Sequence, residues 1–332
     1  LFPYTTLFRS GHSHDALEEG LMVNDTLIAM AGEYDKNLGI VDVTVVDGAI
    51  ESKTASLYTK EMAEDVEPDP EIVSVVDRIK AENEEITSAV VGSTAVELNG
   101  EREYVRSGET NLGNLITDAM VAEVDADVAI TNGGGIRASI DQGEITMGEV
   151  ITVLPFGNTT VVKELTGAQL LDAVEHGLSE YPALEGLFPQ ISGMKVIFDG
   201  SRPAGERVIE LHVNGEPVDY EATYEVATND FMAAGGDGYE VFAETETVVE
   251  AGGLEEVLMK YIDTMGTVSP KVEGRILVVN EENGSYVYTV KEGDYLAKIS
   301  QMFNVKVDSL LEVNDIENRD MIYVGQKINI PM

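Results

Sequence analysis

The sequence predicts an α+β protein: a mixed-sheet domain over residues 88–280, then a small βααβ module over residues 286–332. Three observations carry this reading. Helical and strand periodicities mix along residues 88–280 without a steady βαβ repeat. Gly-rich turns and an Asn-Gly pair at Asn214-Gly215 punctuate the strands. A polar stretch at residues 281–285 then reads as a linker, and the pattern beyond it is strand, two short helices, strand.

The elements follow in order. Residues 1–10 match no protein element and resemble a translated sequencing adapter, so they stand outside fold reasoning as an artefact. The expectation is a fragment whose natural start lies upstream. Within the segment 11–66, residues 21–60 alternate apolar and polar, as in Gly39-Ile40-Val41-Asp42-Val43-Thr44-Val45-Val46, ending on Asp47-Gly48. That predicts strands joined by a hairpin, with exposed apolar faces and open edges. Pro70 suits the first turn of a helix, and Ile72, Val75, Val76, Ile79 and Ile86 keep helical spacing, so residues 67–87 read as a bridging helix. Residues 111–124 are helical in pattern, and residues 126–131 form a short buried strand. A second amphipathic helix is expected from Glu164 to Tyr181 on Leu165, Leu170, Leu171, Val174 and Leu178. Strands are expected at residues 193–198, 208–213 and 224–228.

Composition bounds the chemistry. Asp plus Glu number 61 against 21 Lys plus Arg, a formal charge of −40. Such a field repels nucleic acid and anionic membranes, which excludes both as partners. Any phosphate site must be a local basic focus, for which Arg106 and Arg137 are the candidates. The absence of Cys excludes disulfides and thiolate metal sites. No apolar run reaches the roughly 18 residues of a membrane span.

Three Gly-rich turns hold the functional inventory: Asn132-Gly133-Gly134-Gly135-Ile136-Arg137, Leu154-Pro155-Phe156-Gly157-Asn158, and residues 229–239 with Phe231 and Asp237. Small residues let a ligand approach the backbone, and a guanidinium grips phosphate bidentately. Exposed aromatic faces stack on a base, an amide can read its edge, and a carboxylate can hold ribose hydroxyls. A nucleotide satisfies all of these. Tyr239 and Phe242 read as packing residues, and His176 and His212 as ordinary helix and strand residues.

Together with Asn111-Leu112-Gly113-Asn114-Leu115 upstream, these turns resemble the C-terminal domain of the 5′-nucleotidases. The resemblance implies that Arg106 and Arg137 contact phosphate and that Asn132 lies beside the transferred phosphoryl group, with Asn132 and Arg137 the catalytic residues of this chain. It implies that Phe156 and Phe231 sandwich the base, that Asn158 reads the base edge and that Asp237 holds the ribose. A surface ion pair with Glu109 is the alternative for Arg106. Gly11-His12-Ser13-His14 resembles the last metal-ligand motif of the family's N-terminal metallophosphatase domain, so that His12 would bind one divalent ion and His14 the other. Imidazole suits Zn, Mn or Fe. The remaining ligands of that pair belong upstream, so phosphate hydrolysis is not expected of this chain alone.

The C-terminal module resembles a LysM domain, from Tyr288-Thr289-Val290-Lys291-Glu292-Gly293-Asp294-Tyr295-Leu296 to Ile328-Asn329-Ile330-Pro331. That resemblance implies binding to peptidoglycan or another N-acetylglucosamine glycan, through Gly293, Asp294, Tyr295 and Ile322. The combined expectation is an extracellular, cell-wall-associated nucleotidase acting on nucleotides, its signal peptide upstream of this chain. The alternatives are a non-enzymatic glycan-binding protein that recognises nucleosides, and a relative acting on cyclic nucleotides, 3′-nucleotides or UDP-sugars.

Overall fold

The structure, a computed structural model, describes residues 7–9, 15–33, 35–282, 284–291, 293–316 and 318–331. The chain forms two compact units, Leu1–Lys80 and Ala81–Met332.

In the first unit, strand Thr26–Ala29 lies between Leu7–Arg9, parallel to it, and Leu21–Val23, antiparallel to it. Leu7–Arg9 falls within the ten opening residues set aside above. The predicted hairpin is Asn37–Val46 paired with Ala49–Thr59. Its turn has φ of 51° at Asp47 and 78° at Gly48, the left-handed pair that matches strand twist. Leu38, Ile40, Val43, Val45, Val46 and Ile50 are exposed along this hairpin.

Helix Pro70–Thr87 takes the predicted span. The Asp69 carboxylate accepts from the backbone N–H of Glu71 at 2.8 Å and of Ile72 at 3.4 Å. This caps two donors that Pro70 leaves open at the first turn.

The second unit is built on a five-stranded sheet in the order Pro189–Ser192, Val128–Asn132, Thr223–Asn229, Thr159–Thr166, Thr247–Gly253. Val128–Asn132 and Thr223–Asn229 run parallel, while Thr159–Thr166 runs antiparallel to the latter. The mixed directions have one functional result. The C-terminal ends at Asn132 and Asn229 and the N-terminal start at Thr159 meet at one end of the sheet, with Asn229 in register with Thr160.

Helix Asn111–Val124 covers one face, packing Leu112, Leu115, Ile116 and Met120 against Leu258 and Ile262 of helix Leu254–Met265. The other face buries Val128, Ile130 and Leu165 with Leu170 and Val174 of helix Gly167–Gly177. The helix expected from Glu164 therefore starts later. Residues 164–166 belong to strand Thr159–Thr166, where Leu165 pairs with Tyr224. Thr166 and Gln169 form a reciprocal capping box that begins the helix at Gly167. Leu165 suits both periods, and its strand partner decided between them.

The second large sheet has six strands in the order Glu216–Pro217, Val208–Val213, Met194–Asp199, Ile276–Glu282, Ser285–Thr289, Lys327–Ile330. Its last two strands, with helices Leu296–Met302 and Val307–Val313, form the βααβ module. The stretch read as a linker is thus the tip of a hairpin, in which Asn280 pairs with Val287 and Glu282 with Ser285. Beneath it, Ile197, Leu277 and Val279 share one core with Tyr288, Leu296, Ile299, Phe303, Leu310 and Ile328. The mixed sheets and the α+β class are those the sequence predicts.

Candidate nucleotide-binding site

The site begins at the sheet end where Asn132, Asn229 and Thr159 meet. Asn132 is buried and donates through Nδ2 to Asp237 Oδ2 at 2.7 Å. Its Oδ1 accepts from Asn229 Nδ2 at 3.0 Å, and that same amide also donates to Thr131 Oγ1 at 3.1 Å. Asn229 Oδ1 accepts from the Met232 N–H at 2.8 Å and so caps helix Asp230–Ala233. One buried amide therefore ties the first Gly turn to the third. The second turn is tied in by Asp230 Oδ1, which accepts from the Thr159 N–H at 3.1 Å.

His176 completes this scaffold. Its Nε2 lies 2.9 Å from the Asp237 carbonyl oxygen, which makes Nε2 the donor. Its ring meets Tyr239 edge-on at 4.8 Å. Asp237 sits at a left-handed φ of 52° with Gly238 at 82°, and the His176 contact holds that bend from behind. Tyr239 and Phe242 are fully buried, as the sequence reading has them. The Tyr239 hydroxyl donates to the Leu187 carbonyl at 2.6 Å, and burial first, then the Asp237 charge, push its pKa well up. Sequence reasoning missed His176 and Asn229. The Asn-Asp pair before Phe231 is a cap signal that marks Asn229. Nothing local marks His176.

Both candidate arginines border this scaffold. Arg106 ends the short helix Arg102–Val105, is buried, and donates through Nη1 to the Leu184 carbonyl at 3.3 Å. Its Nε is buried without a protein partner among the described residues. Burial first, then the charges of Arg102 and Arg137, hold its pKa below the ordinary guanidinium value. A bound anion would relieve that repulsion. The alternative ion pair with Glu109 does not form. The Glu109 carboxylate instead accepts from Asn114 Nδ2 at 2.6 Å and from the N–H groups of Glu273, Gly274 and Arg275 at 2.6, 2.9 and 2.7 Å.

Arg137 donates to the Gly134 carbonyl at 3.4 Å, and its guanidinium carbon stands 5.8 Å from the Phe156 ring centroid. That distance allows a cation–π contact. Phe156 is 59% and Phe231 44% exposed, so neither is a core residue. The Phe231 ring lies on Gly236, where an added Cβ would fall 2.6 Å from the ring. Asn158 lies with Phe156, Thr131 and Asn229 around a crevice of only about 10 Å³. The crevice beside Phe156 is therefore too small to enclose a base.

His12 and His14 lie outside the described residues. Among the described residues no group of three or more His, Asp or Glu could hold a metal ion.

In the C-terminal module, Gly293 turns at φ 79° and Tyr295 is 61% exposed. The Asp294 side chain is buried, accepting from the Tyr288 hydroxyl at 2.7 Å, the Lys291 N–H at 2.8 Å and Lys298 Nζ at 3.0 Å. Ile322 packs against the module's core. Gly293 and Tyr295 face solvent-accessible space, whereas Asp294 braces the loop from inside.

Residues 90–244 match the family profile of the 5′-nucleotidase, C-terminal domain, and residues 288–331 that of the LysM domain. The chain is 42% identical over 299 residues to the trifunctional nucleotide phosphoesterase protein YfkN of Bacillus subtilis strain 168, across 84% of this chain and 20% of that protein. It is 34% identical over 273 residues to the snake venom 5′-nucleotidase of Naja atra, across 75% of this chain and 51% of that one. The crystal structure of a 5′-nucleotidase precursor from Thermus thermophilus superposes with a TM-score of 0.63 at 39% identity, covering 77% of this chain and 52% of that one. The chain thus spans a fifth of the first relative and about half of the others. Residues 90–244 thus carry the C-terminal domain of the 5′-nucleotidases, and a LysM domain follows at residues 288–331.

Proposed function

We propose that this chain is the nucleotide-binding and glycan-anchoring part of an extracellular, cell-wall-associated 5′-nucleotidase. One observation carries the reading: buried Asn229 and Asn132 hold the exposed Asp237 carboxylate, with Arg106 and Arg137 near it, Phe156 against Arg137, and Phe231 on Gly236. Phe156 and Phe231 hold the base, Asn158 its edge, and Asp237 the ribose hydroxyls. Arg106 and Arg137 take the phosphate, with Asn132 beside it. The two divalent ions, Zn, Mn or similar, would supply the activated water. His12 and His14 are the ligands this chain offers them, and the other ligands lie elsewhere in the complete protein. The LysM domain holds the enzyme on peptidoglycan.

Calorimetric titration of the chain with adenosine and AMP, without metal, tests the pocket. AMP should bind more tightly than adenosine, because each charge-assisted hydrogen bond contributes about 1.5–3 kcal/mol. Equal affinity would remove Arg106 and Arg137 from the phosphate role. No binding of either would discard the pocket.

His176 provides a finer check, as a positioning residue behind Asp237. His176→Ala should weaken adenosine binding about five- to tenfold, the loss of roughly one hydrogen bond. Affinity for 2′,3′-dideoxyadenosine should not change. If both ligands weaken equally, His176 only supports the fold and Asp237 does not read the ribose.

A further inference from the structure

A cavity of about 580 Å³ lies apart from the nucleotide site. It lies between the nucleotidase domain and the LysM domain, and its size falls in the roughly 300–1,000 Å³ range of ligand sites. Asn99, Tyr104 and Lys271 line it from one side, and Gly293, Tyr295 and Lys298 from the other.

Both walls are built rigidly. On the nucleotidase side, the Glu109 carboxylate gathers the N–H groups of residues 273–275 and so fixes the loop that carries Lys271. Asn111 Oδ1 accepts from the Asn99 N–H at 2.8 Å, and Asn99 Oδ1 accepts from the Glu101 N–H at 3.0 Å. The Asn99 amide nitrogen is left to donate. On the LysM side, Asp294 locks the loop between Gly293 and Lys298. The six-stranded sheet and the shared core of Ile197, Leu277 and Val279 with Tyr288 and Leu296 hold the walls in one relation. A preformed site loses less freedom on binding.

The lining has a definite chemistry. Tyr104 is 56% and Tyr295 61% exposed, so two amphipathic aromatic faces are offered. Around them stand donors: the Asn99 amide, the Lys271 and Lys298 ammonium groups and the tyrosine hydroxyls. A pyranose ring has an apolar C–H face, and its rim of hydroxyl and acetamido oxygens accepts hydrogen bonds. We propose that this cavity is a saccharide subsite shared by the two domains, taking one sugar of an N-acetylhexosamine glycan. The LysM domain then reads its glycan against a wall that the nucleotidase domain supplies. This rests on the LysM glycan reading above and adds a second surface to it.

The test titrates the full chain with the N-acetylglucosamine tetramer, comparing Tyr104→Ala, Lys271→Ala and Tyr323→Ala, the last an exposed tyrosine of the LysM domain next to Ile322. Tyr104→Ala should weaken tetramer binding about tenfold or more, as truncation of a central aromatic contact does, and Lys271→Ala several-fold. Adenosine affinity should be unchanged in both, which shows that the variants fold. If both bind the tetramer like wild type while Tyr323→Ala does not, the glycan sits on the LysM domain alone and the shared subsite is overturned. If wild type binds no tetramer, the LysM reading falls and the subsite with it.

Discussion

Gly133→Ala should lower the melting temperature of the nucleotidase domain by about 6–12 °C and cut AMP affinity sharply. The cause is space, not backbone angle. A Cβ at Gly133 would lie 2.1 Å from the Val105 carbonyl oxygen and 2.9 Å from its carbon. Both atoms are backbone, so no side-chain rotation relieves the clash. Overpacking of this kind costs about 3 kcal/mol, and each kcal/mol shifts the midpoint of a domain of this size by about 2–4 °C. The affinity effect follows from the same contact. Val105 precedes Arg106, and Gly133 follows Asn132, so separating the two segments moves Arg106, proposed to take the phosphate, away from the scaffold. The neighbouring glycines grade the prediction. At Gly134 a Cβ would meet Gly186 Cα at 2.9 Å, and at Gly135 only the Asn132 side chain at 3.2 Å. The order of damage should be Gly133 over Gly134 over Gly135, read by thermal unfolding and by AMP calorimetry. A Gly133→Ala protein that melts with wild type would show that the glycines serve turn geometry rather than close approach.

That ranking was not legible in the sequence, where the three glycines look alike. What was legible depended on local signals. The hairpin at Asp47-Gly48, helix Pro70–Thr87 and helix Asn111–Val124 each carry their own turn, cap or period, and each stands where the pattern puts it. The exposure of Phe156 and Phe231 was legible as well, because each lies in a turn with glycine close by. Misreadings arose where distant pairing decided. Leu165 suits a helix face and a buried strand equally, and only its partner Tyr224 chooses. Residues 281–285 have the composition of a linker, yet Leu277 and Val279 before them and Tyr288 and Val290 after them are buried in one core. Polar residues at a hairpin tip and in a linker look the same. His176 lies 61 residues from Asp237 in the chain, and no spacing rule reaches that far.

The exposed rings give the sharpest functional forecast. Phe231→Ala should lower adenosine and AMP affinity by the same factor. Stacking on a base contributes about 1–3 kcal/mol, which corresponds to about five- to 150-fold. The melting temperature should barely move, since the ring is 44% exposed and rests on Gly236 rather than in the core. Phe156→Ala should differ in one respect. Its ring also faces the Arg137 guanidinium at 5.8 Å, a contact worth about 0.5–1 kcal/mol at an exposed site. Removing it takes away one contact that orients Arg137, the proposed phosphate ligand. AMP binding should therefore fall more than adenosine binding, by a further two- to fivefold or so on that contact's energy. Calorimetry on the two variants with the two ligands gives four ratios that separate stacking from phosphate positioning. Equal losses of AMP and adenosine in Phe156→Ala would show that the ring acts on the base alone. Unchanged affinity in Phe231→Ala would remove that residue from the pocket.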